Sequence, residues 1–187
     1  YIMALTKTPV CDFGKKAEDF KLKSIENKII SLNDVKGENA TLIMFICNHC
    51  PYVKAIIKDL AKDCNQLKKD GINSVAIMSN DTKNYPEDSF DNMIKFAKAN
   101  NFGEINYLFD ETQDIAKKYG AVCTPDFFGY NKDLKLQYRG RYRELKDLKP
   151  TSGDDSDLKV AMKMISETQA GPKKQIPSMG CNIKWFK

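Results

Sequence analysis

Two short apolar runs flank a segment with helical periodicity, and this order constrains the fold more than any other feature of the sequence. The first run, 40–46, is continuous and rich in strand-forming residues, as expected of a strand covered on both faces. Apolar residues then recur at helical spacing from Tyr52 to Lys69, and Gly71 follows as a stop signal. The second run, 72–79, is again typical of a buried strand. A strand, a helix and a strand in this order predict a right-handed parallel crossover.

The pattern changes in the second half of the chain, where strands are joined by short turns. Two strand-like runs separated by Asn131-Lys132-Asp133 predict an antiparallel hairpin, so the central sheet should be mixed. The other elements are expected at 86–99 (helix), 105–109 (strand), 111–119 (helix), 127–130 and 134–142 (the hairpin strands) and from 157 to about 169 (helix).

Size and composition favour one globular domain. The chain has 187 residues, of which 42% are hydrophobic and 29% charged, and these are ordinary proportions for a packed protein. Its longest apolar stretch, Leu42 to Cys47, is far shorter than the roughly 20 residues of a membrane span. We therefore expect no membrane partner, and a single domain with an N-terminal extension at 1–39, a core at 40–170 and a C-terminal tail at 171–187.

The charge pattern argues against a nucleic-acid partner. The net charge of +5 comes from lysines mixed with acids, and no basic stretch alternates with aromatic residues. The densest basic cluster is Arg139, Arg141 and Arg143, which would share one face of a strand. We interpret it as a solvated face, with an anion or active-site contact as the alternative.

The first residues bear on the cellular location. Methionine stands at the third position, so we interpret Tyr1 and Ile2 as left by cloning and Met3 as the natural start. No signal peptide follows, which predicts a cytoplasmic protein, although a signal removed beforehand would leave the same pattern.

The segment Cys47-Asn48-His49-Cys50-Pro51 lies where the first buried strand ends and the helix begins. Two residues between cysteines at a helix start let the sulfurs close a small disulfide ring. The first-turn amides and the helix dipole are expected to lower the pKa of Cys47 and make it the nucleophile, with Cys50 resolving the mixed disulfide. Pro51 suits a first helical turn because it has no amide proton to leave unpaired. The motif predicts a redox-active Cys47–Cys50 disulfide and no other cofactor.

His49 is the only histidine and lies inside the pair. It is expected to stabilise the thiolate and raise the reduction potential, while a passive exposed residue and a metal ligand are the alternatives. A metal-binding module using Cys47, His49 and Cys50 is therefore a third hypothesis for function. Structural zinc usually needs four ligands, and no metal is expected because the remaining cysteines are widely separated in sequence. These are Cys11, Cys64, Cys123 and Cys181.

The strand, the C-x-x-C at a helix start and the later Cys123-Thr124-Pro125 together resemble the thioredoxin superfamily, in which a cis-proline faces the cysteine pair. The resemblance implies that Pro125 is this proline and that the backbone of Thr124 binds an extended substrate segment. Cys123, two residues before the proline, becomes a candidate for a further redox role. An ordinary turn proline is the alternative.

The resemblance extends nearly end to end, through the stretches 17–22, 31–37, 110–113, 123–128, 138–140 and 177–185. These are similar to the peroxiredoxin-like redoxins of the alkyl hydroperoxide reductase and thiol-specific antioxidant group, within the subgroup that carries C-x-x-C in place of T-x-x-C. The resemblance implies an α/β thioredoxin-like fold, with a mixed central sheet flanked by helices, a peroxiredoxin-like N-terminal extension and a C-terminal tail.

Two departures from the peroxidase pattern affect the predicted activity. By the resemblance Cys50 takes the peroxidatic position, but Cys47 and Ile43 replace the threonine and proline that hold the peroxide. We therefore predict a thiol–disulfide oxidoreductase with antioxidant-type activity, and a thiol peroxidase acting on hydroperoxides through Cys50 as the alternative. Expected partners are protein or small-molecule disulfides and thiols, hydroperoxides in the alternative, and a dithiol electron donor.

The tail contains another cysteine, Cys181, close to the apolar residues Ile183, Trp185 and Phe186. These apolar residues would let the tail dock over the domain. We consider two roles for Cys181: a third redox cysteine that exchanges with the pair, or part of a tail that only completes the core.

Overall fold

A computed structural model of the chain describes residues 4–187. Residues 1–3, with the proposed start Met3, lie outside the described part. The strands are β1 (Leu5–Lys7), β2 (Lys21–Ser24), β3 (Ile29–Ser31), β4 (Ala40–Phe45), β5 (Ile72–Met78), β6 (Asn106–Phe109), β7 (Cys123–Thr124), β8 (Asp126–Asn131), β9 (Leu136–Tyr138), β10 (Leu145–Lys146), β11 (Lys149–Pro150) and β12 (Met179–Asn182). The helices are α1 (Leu32–Val35), α2 (Pro51–Lys54), α3 (Ile57–Leu67), α4 (Phe90–Ala99), α5 (Asp114–Tyr119) and α6 (Asp157–Thr168), with short 3₁₀ turns at Lys68–Asp70 and Pro86–Asp88.

Seven strands form the central sheet in the order β3-β2-β6-β5-β4-β8-β9. The β4–β5 and β5–β6 pairs are parallel, and the other pairs are antiparallel. This arrangement confirms the predicted α/β class with a mixed sheet flanked by helices. Among residues 4–187, no helix is long and apolar enough to cross a membrane.

Strand β4 lies inside the sheet and separates two hydrophobic clusters. All six of its residues are buried. Leu42 and Met44 pack in one cluster, whereas Ile43 and Phe45 pack in the other, because successive side chains of a strand point to opposite faces. The continuous apolar run of the sequence is therefore explained by burial on both faces, and the cysteine pair follows its carboxyl end with both side chains still buried.

The tail contributes a strand that the sequence did not predict. Strand β12 is the middle strand of a small antiparallel sheet, with β1 on one side and β7 on the other. Gly180 is needed there, because a Cβ atom at that position would collide with the Thr124 carbonyl. The close approach of β12 brings the tail to β7, the strand that precedes Pro125.

Among the predicted elements whose bounds differ in the structure, two show a clear physical reason. The single helix expected from Tyr52 to Lys69 is divided into α2 and α3, because the Ile56 amide bonds to the Val53 carbonyl (3.1 Å) and tightens the turn. The strand expected at 134–142 is only three residues long. It ends before Arg139, whose amide donates to the Gln175 side chain (2.8 Å) instead of continuing the strand pairing.

The prediction of a solvated arginine face is wrong for Arg139, which is only 8% exposed. Its Nη2 and Nε atoms donate to the two carboxylate oxygens of Asp126 at 2.9 and 3.2 Å. Its guanidinium also lies 4.4 Å above the Phe128 ring. Arg141 pairs with Asp157 nearer the surface. The guanidinium of Arg139 thus has a structural partner inside the protein.

Candidate active site

The two cysteines of the C-x-x-C motif occupy different positions relative to the helix. Cys50 is the N-cap of α2, and Pro51 is the first helical residue. Cys47 lies three residues earlier, in the loop that follows β4. Both side chains are buried, with 1% of Cys47 and none of Cys50 exposed. The helix therefore starts at the second cysteine of the motif.

Thr124 contacts both sulfurs from the opposite side. The Thr124–Pro125 peptide bond is cis and lies between β7 and β8. The Thr124 hydroxyl is 3.5 Å from the Cys47 sulfur, and the Cys50 thiol donates to the Thr124 carbonyl at 3.2 Å. The structure thus brings together the cysteine pair and the Thr124–Pro125 segment, 74 or more positions apart in sequence.

A third sulfur lies against Cys50. The Cys181 and Cys50 Sγ atoms are 2.9 Å apart, and Cys181 is only 2% exposed. Cys123 is also buried, but its thiol donates to the Pro125 carbonyl at 3.5 Å, and its backbone is paired with Asn182. Of the two further redox candidates, Cys181 is the one in contact with the pair.

The contacts among the three thiols favour a negative charge on Cys50. Hydrogen bonds from the Cys181 and Cys47 thiols lower the pKa of Cys50. The pKa of Cys47 is raised well above its ordinary value, mainly by burial and further by the bond to Cys50 and the charge of Asp88. The contact with Cys50, together with burial, raises the pKa of Cys181. The expected lowering of the pKa of Cys47 by the helix start is therefore wrong, because Cys47 precedes the helix and is desolvated.

His49 is held by a buried carboxylate. Its Nδ1 atom lies 2.7 Å from Asp88 Oδ2, outside the geometry of a regular hydrogen bond, and its ring stacks on Tyr85 with centroids 5.8 Å apart. The contact with Asp88 raises the pKa of His49, although partial burial opposes it. Asp88 is fully buried and also accepts bonds from the Asn48 amide (2.8 Å) and the Asn80 side chain (2.9 Å). The protonated imidazole therefore has its counter-charge beside the cysteine loop.

Asn48 is a positioning residue. Its side-chain oxygen accepts a hydrogen bond from the Tyr107 hydroxyl (2.7 Å), and its side-chain nitrogen donates to the Glu87 carbonyl (3.2 Å). Sequence reasoning missed Tyr107 and Asp88, which lie 59 and 40 positions from Asn48. No local pattern marks them, because both contacts arise only when the fold brings the 3₁₀ turn at Pro86–Asp88 and strand β6 to the cysteine loop.

The structure brings together a different set of possible metal ligands from the set that the sequence predicted. Donor atoms of Cys47, His49 and Asp88 lie within 4.8 Å of one another, and this is the single group of three such residues found among residues 4–187. Asp88 replaces Cys50 in the expected set, and its oxygens already accept two other hydrogen bonds. Three donors are one fewer than a structural zinc site uses.

Comparison with known proteins identifies the family of the chain. The sequence profile described as "AhpC/TSA family" matches residues 13–139, which is more than half of the chain. The chain belongs to the AhpC/TSA family. The matched region includes the cysteine pair, Thr124 and Pro125, but ends before Cys181.

Two solved structures are similar to the chain over nearly its whole length. The chain is similar to a crystal structure of an uncharacterized conserved protein from Geobacillus kaustophilus, at 40% identity and a TM-score of 0.92 over 98% of this chain and 97% of that one. A hypothetical protein from Sinorhizobium meliloti 1021 is 36% identical, with a TM-score of 0.88 over 97% and 98% of the two chains. None of the curated proteins compared matches the chain.

A more distant structure supports the fold alone. The thioredoxin domain of a thiol-disulfide oxidoreductase from Bacteroides vulgatus is 18% identical, with a TM-score of 0.57 over 68% of this chain and 86% of that one. The AhpC/TSA member described here therefore has the predicted thioredoxin-like fold. Its family makes it an oxidoreductase of the redoxin type. Its predicted resemblance to peroxiredoxin-like redoxins is confirmed.

Proposed function

We propose that this AhpC/TSA protein is a thiol–disulfide oxidoreductase whose redox-active dithiol is Cys47 and Cys50, with Cys50 as the thiolate. The observation that carries the proposal is the convergence of both sulfurs on Thr124. The Cys50 sulfur lies 3.2 Å from the Thr124 carbonyl, and the Cys47 sulfur lies 3.5 Å from its hydroxyl. Because the thiolate is the nucleophile in disulfide exchange, the lowered pKa of Cys50 favours it as the attacking residue.

The exchange proceeds in two steps. The Cys50 thiolate attacks one sulfur of a substrate disulfide, the substrate S–S bond breaks, and the first substrate thiolate leaves and takes a proton. Cys47 then loses its proton and attacks the Cys50 sulfur, which breaks the mixed disulfide and releases the second substrate thiol. The substrate gains two electrons and two protons, and the protein holds a Cys47–Cys50 disulfide. A dithiol electron donor returns it to the reduced form, so the cycle needs no bound cofactor.

A cavity beside Pro125 supports a disulfide-bearing substrate of modest size. It has a volume of about 500 Å³, and its walls include Tyr52, Pro125, Tyr142 and Met179. The sulfurs of the pair are buried and do not line the cavity, so a substrate there reaches them after a local movement of the cavity wall. We propose that extended or small-molecule disulfides occupy this cavity.

Peroxide reduction by Cys50 is the second candidate. It is favoured by the complete burial of a sulfur whose pKa is lowered, because a small oxidant can reach such a site more easily than a protein disulfide. The Cys50 thiolate would attack the peroxide O–O bond, becoming a sulfenic acid and releasing water, and Cys47 would condense with it and release a second water. The replacement of the peroxide-holding threonine by Cys47 argues against this candidate.

Stopped-flow mixing of the reduced protein with oxidised glutathione, and separately with hydrogen peroxide, tests both candidates. We expect the disulfide to react faster than the peroxide, and Cys50→Ser to abolish the reaction. The Cys47→Ser/Cys181→Ser double variant should accumulate a stable mixed disulfide on Cys50, because both neighbouring thiols are gone.

Cys11→Ser is the matched control, since burial raises the pKa of the half-buried Cys11 thiol to about 11 and it should not contribute. Faster oxidation by peroxide that persists in Cys47→Ser would favour the peroxidase. Unchanged disulfide reduction in Cys50→Ser would refute the assignment of the thiolate.

A further inference from the structure

Strand pairing fixes Cys181 beside the redox pair. In the antiparallel β7–β12 ladder, Cys181 is directly opposite Thr124, the residue that contacts both sulfurs of the pair. On its other side Cys181 is paired with Leu5 of β1. The third sulfur therefore lies on a strand held from both sides, not on a free tail.

The sulfur of Cys50 lies between two thiols. Its distance to the Cys181 sulfur, 2.9 Å, is only about 0.9 Å longer than the roughly 2.05 Å bond of a disulfide. Cys47 is its other thiol neighbour, and both thiols donate to it when it is ionised. The Cys50 sulfur can thus form a disulfide with either neighbour after a small movement.

We propose that Cys181 is a third redox cysteine, which replaces Cys47 as the disulfide partner of Cys50. The inference rests on the proposed function, which supplies the Cys47–Cys50 disulfide. Cys181 loses its proton and attacks the Cys50 sulfur, so the Cys50–Cys181 bond forms and the Cys47–Cys50 bond breaks. Cys47 leaves as a thiolate and takes up a proton. No electrons enter or leave the protein in this step, which moves the disulfide from one side of Cys50 to the other.

This transfer gives the three cysteines separate roles. Cys50 receives the oxidising equivalent, Cys47 resolves the mixed disulfide, and Cys181 holds the product disulfide away from Cys47. The resulting bond joins β12 to the start of α2 across 131 positions of sequence. Regeneration then requires the dithiol donor to attack the Cys50–Cys181 bond, so the tail becomes part of the redox centre.

Peptide mapping of the full-length protein tests the transfer. The reduced chain is mixed with increasing oxidised glutathione, quenched in acid, alkylated and digested with trypsin without reduction. Cleavage after lysine places Cys47 and Cys50 together in peptide 37–54 and Cys181 in peptide 175–184. A Cys47–Cys50 bond stays inside the first peptide, whereas a bond to Cys181 links the two peptides.

We expect the linked peptides to be the main disulfide product in the wild type and to be lost in Cys50→Ser and Cys181→Ser. They should also form in Cys47→Ser, where Cys181 attacks the mixed disulfide on Cys50 directly and releases the second glutathione. Because peptide 37–54 contains both Cys47 and Cys50, the two single variants show which of these cysteines is bonded to Cys181. Cys123→Ser, which removes the neighbouring buried thiol of the same small sheet, should leave the linked product in place.

Two results overturn the inference, and they are distinguishable. If Cys47–Cys50 forms and glutathione is reduced but the linked peptides never appear in the wild type, the third redox cysteine is refuted while the proposed function stands. If neither disulfide forms and no glutathione is reduced, both fail together.

Discussion

At the residue scale, one buried carboxylate organises the loop that carries the redox pair. Asp88 accepts a bond from the Asn48 amide, between the two cysteines, and lies 2.7 Å from His49. Its charge also contributes to the raised pKa of Cys47. Asp88 therefore affects both the shape of the loop and the preference for a thiolate at Cys50 over Cys47.

The pairing of His49 with Asp88 should make stability depend on pH. The pKa of His49 is raised in the folded protein, so its contribution is complete below the unfolded pKa of about 6.5 and is lost as pH rises through the higher folded pKa. We expect His49→Gln to lower the free energy of unfolding more at pH 5 than at pH 9, measured by urea denaturation.

Asp88→Asn provides the control for this prediction, because it removes the counter-charge and keeps the shape of the side chain. In that background the destabilisation by His49→Gln should no longer be larger at pH 5 than at pH 9. An equal effect of His49→Gln at both pH values in the otherwise wild-type chain would contradict the pairing.

At the element scale, the sequence predicts the segments that have a clear local hydrophobic pattern and misses those that long-range contacts hold in place. Strands β4 and β5 were predicted within about one residue, because burial on both faces leaves a continuous apolar run. Strand β12 has no such run, and the tail is held in part by a bond from Ser178 to Thr8, 170 positions away. The sulfur contact of Cys181 depends on this long-range pairing, so the sequence could suggest the cysteine but not its position.

Gly180 offers a test of how β12 delivers Cys181. A methyl group at this position would collide with the Thr124 carbonyl. Because this carbonyl belongs to the backbone, it cannot rotate away as a side chain could. We expect Gly180→Ala to cost about 2 kcal/mol of stability, in the range of overpacked sites, and to reduce the linked 37–54 and 175–184 peptides. Met179→Ala, at an exposed side chain of the same strand, should change stability by less than about 0.5 kcal/mol. Full stability and unchanged cross-linking in Gly180→Ala would argue against the tight packing of β12.

At the scale of the whole molecule, the Arg139–Asp126 pair joins segments that the sequence separates widely. Asp126 begins β8, and Arg139 follows β9 and donates to the Gly120 carbonyl at the end of α5. Its amide also donates to Gln175 in the tail. This buried arginine therefore connects the central sheet, a helix end and the segment that leads to β12. The sequence predicted a basic cluster but could not reveal the carboxylate inside the fold.

Removal of one member of this pair should destabilise the entire protein. Arg139→Met leaves the buried Asp126 charge without a partner, and such losses cost about 3 to 5 kcal/mol. Burial already raises the pKa of Asp126, against the opposing effect of Arg139, so without the arginine the carboxyl should be protonated when folded and ionised when unfolded. The folded state then binds more protons, and stability falls as pH rises, so the loss should be smaller at pH 4 than at pH 8. Urea denaturation measures both values.

Two variants complete this experiment. Arg141→Met removes an arginine of the same segment whose partner, Asp157, is largely exposed, and it should cost about 0 to 1 kcal/mol. Asp126→Leu/Arg139→Met removes both buried charges and should recover most of the lost stability, because no ion remains unpaired in the core. Equal losses for Arg139→Met and Arg141→Met would mean that the buried pair does not hold these segments together. If Arg139→Met loses much stability and the double variant recovers it, the cause of the loss is the buried Asp126 carboxyl left without its partner.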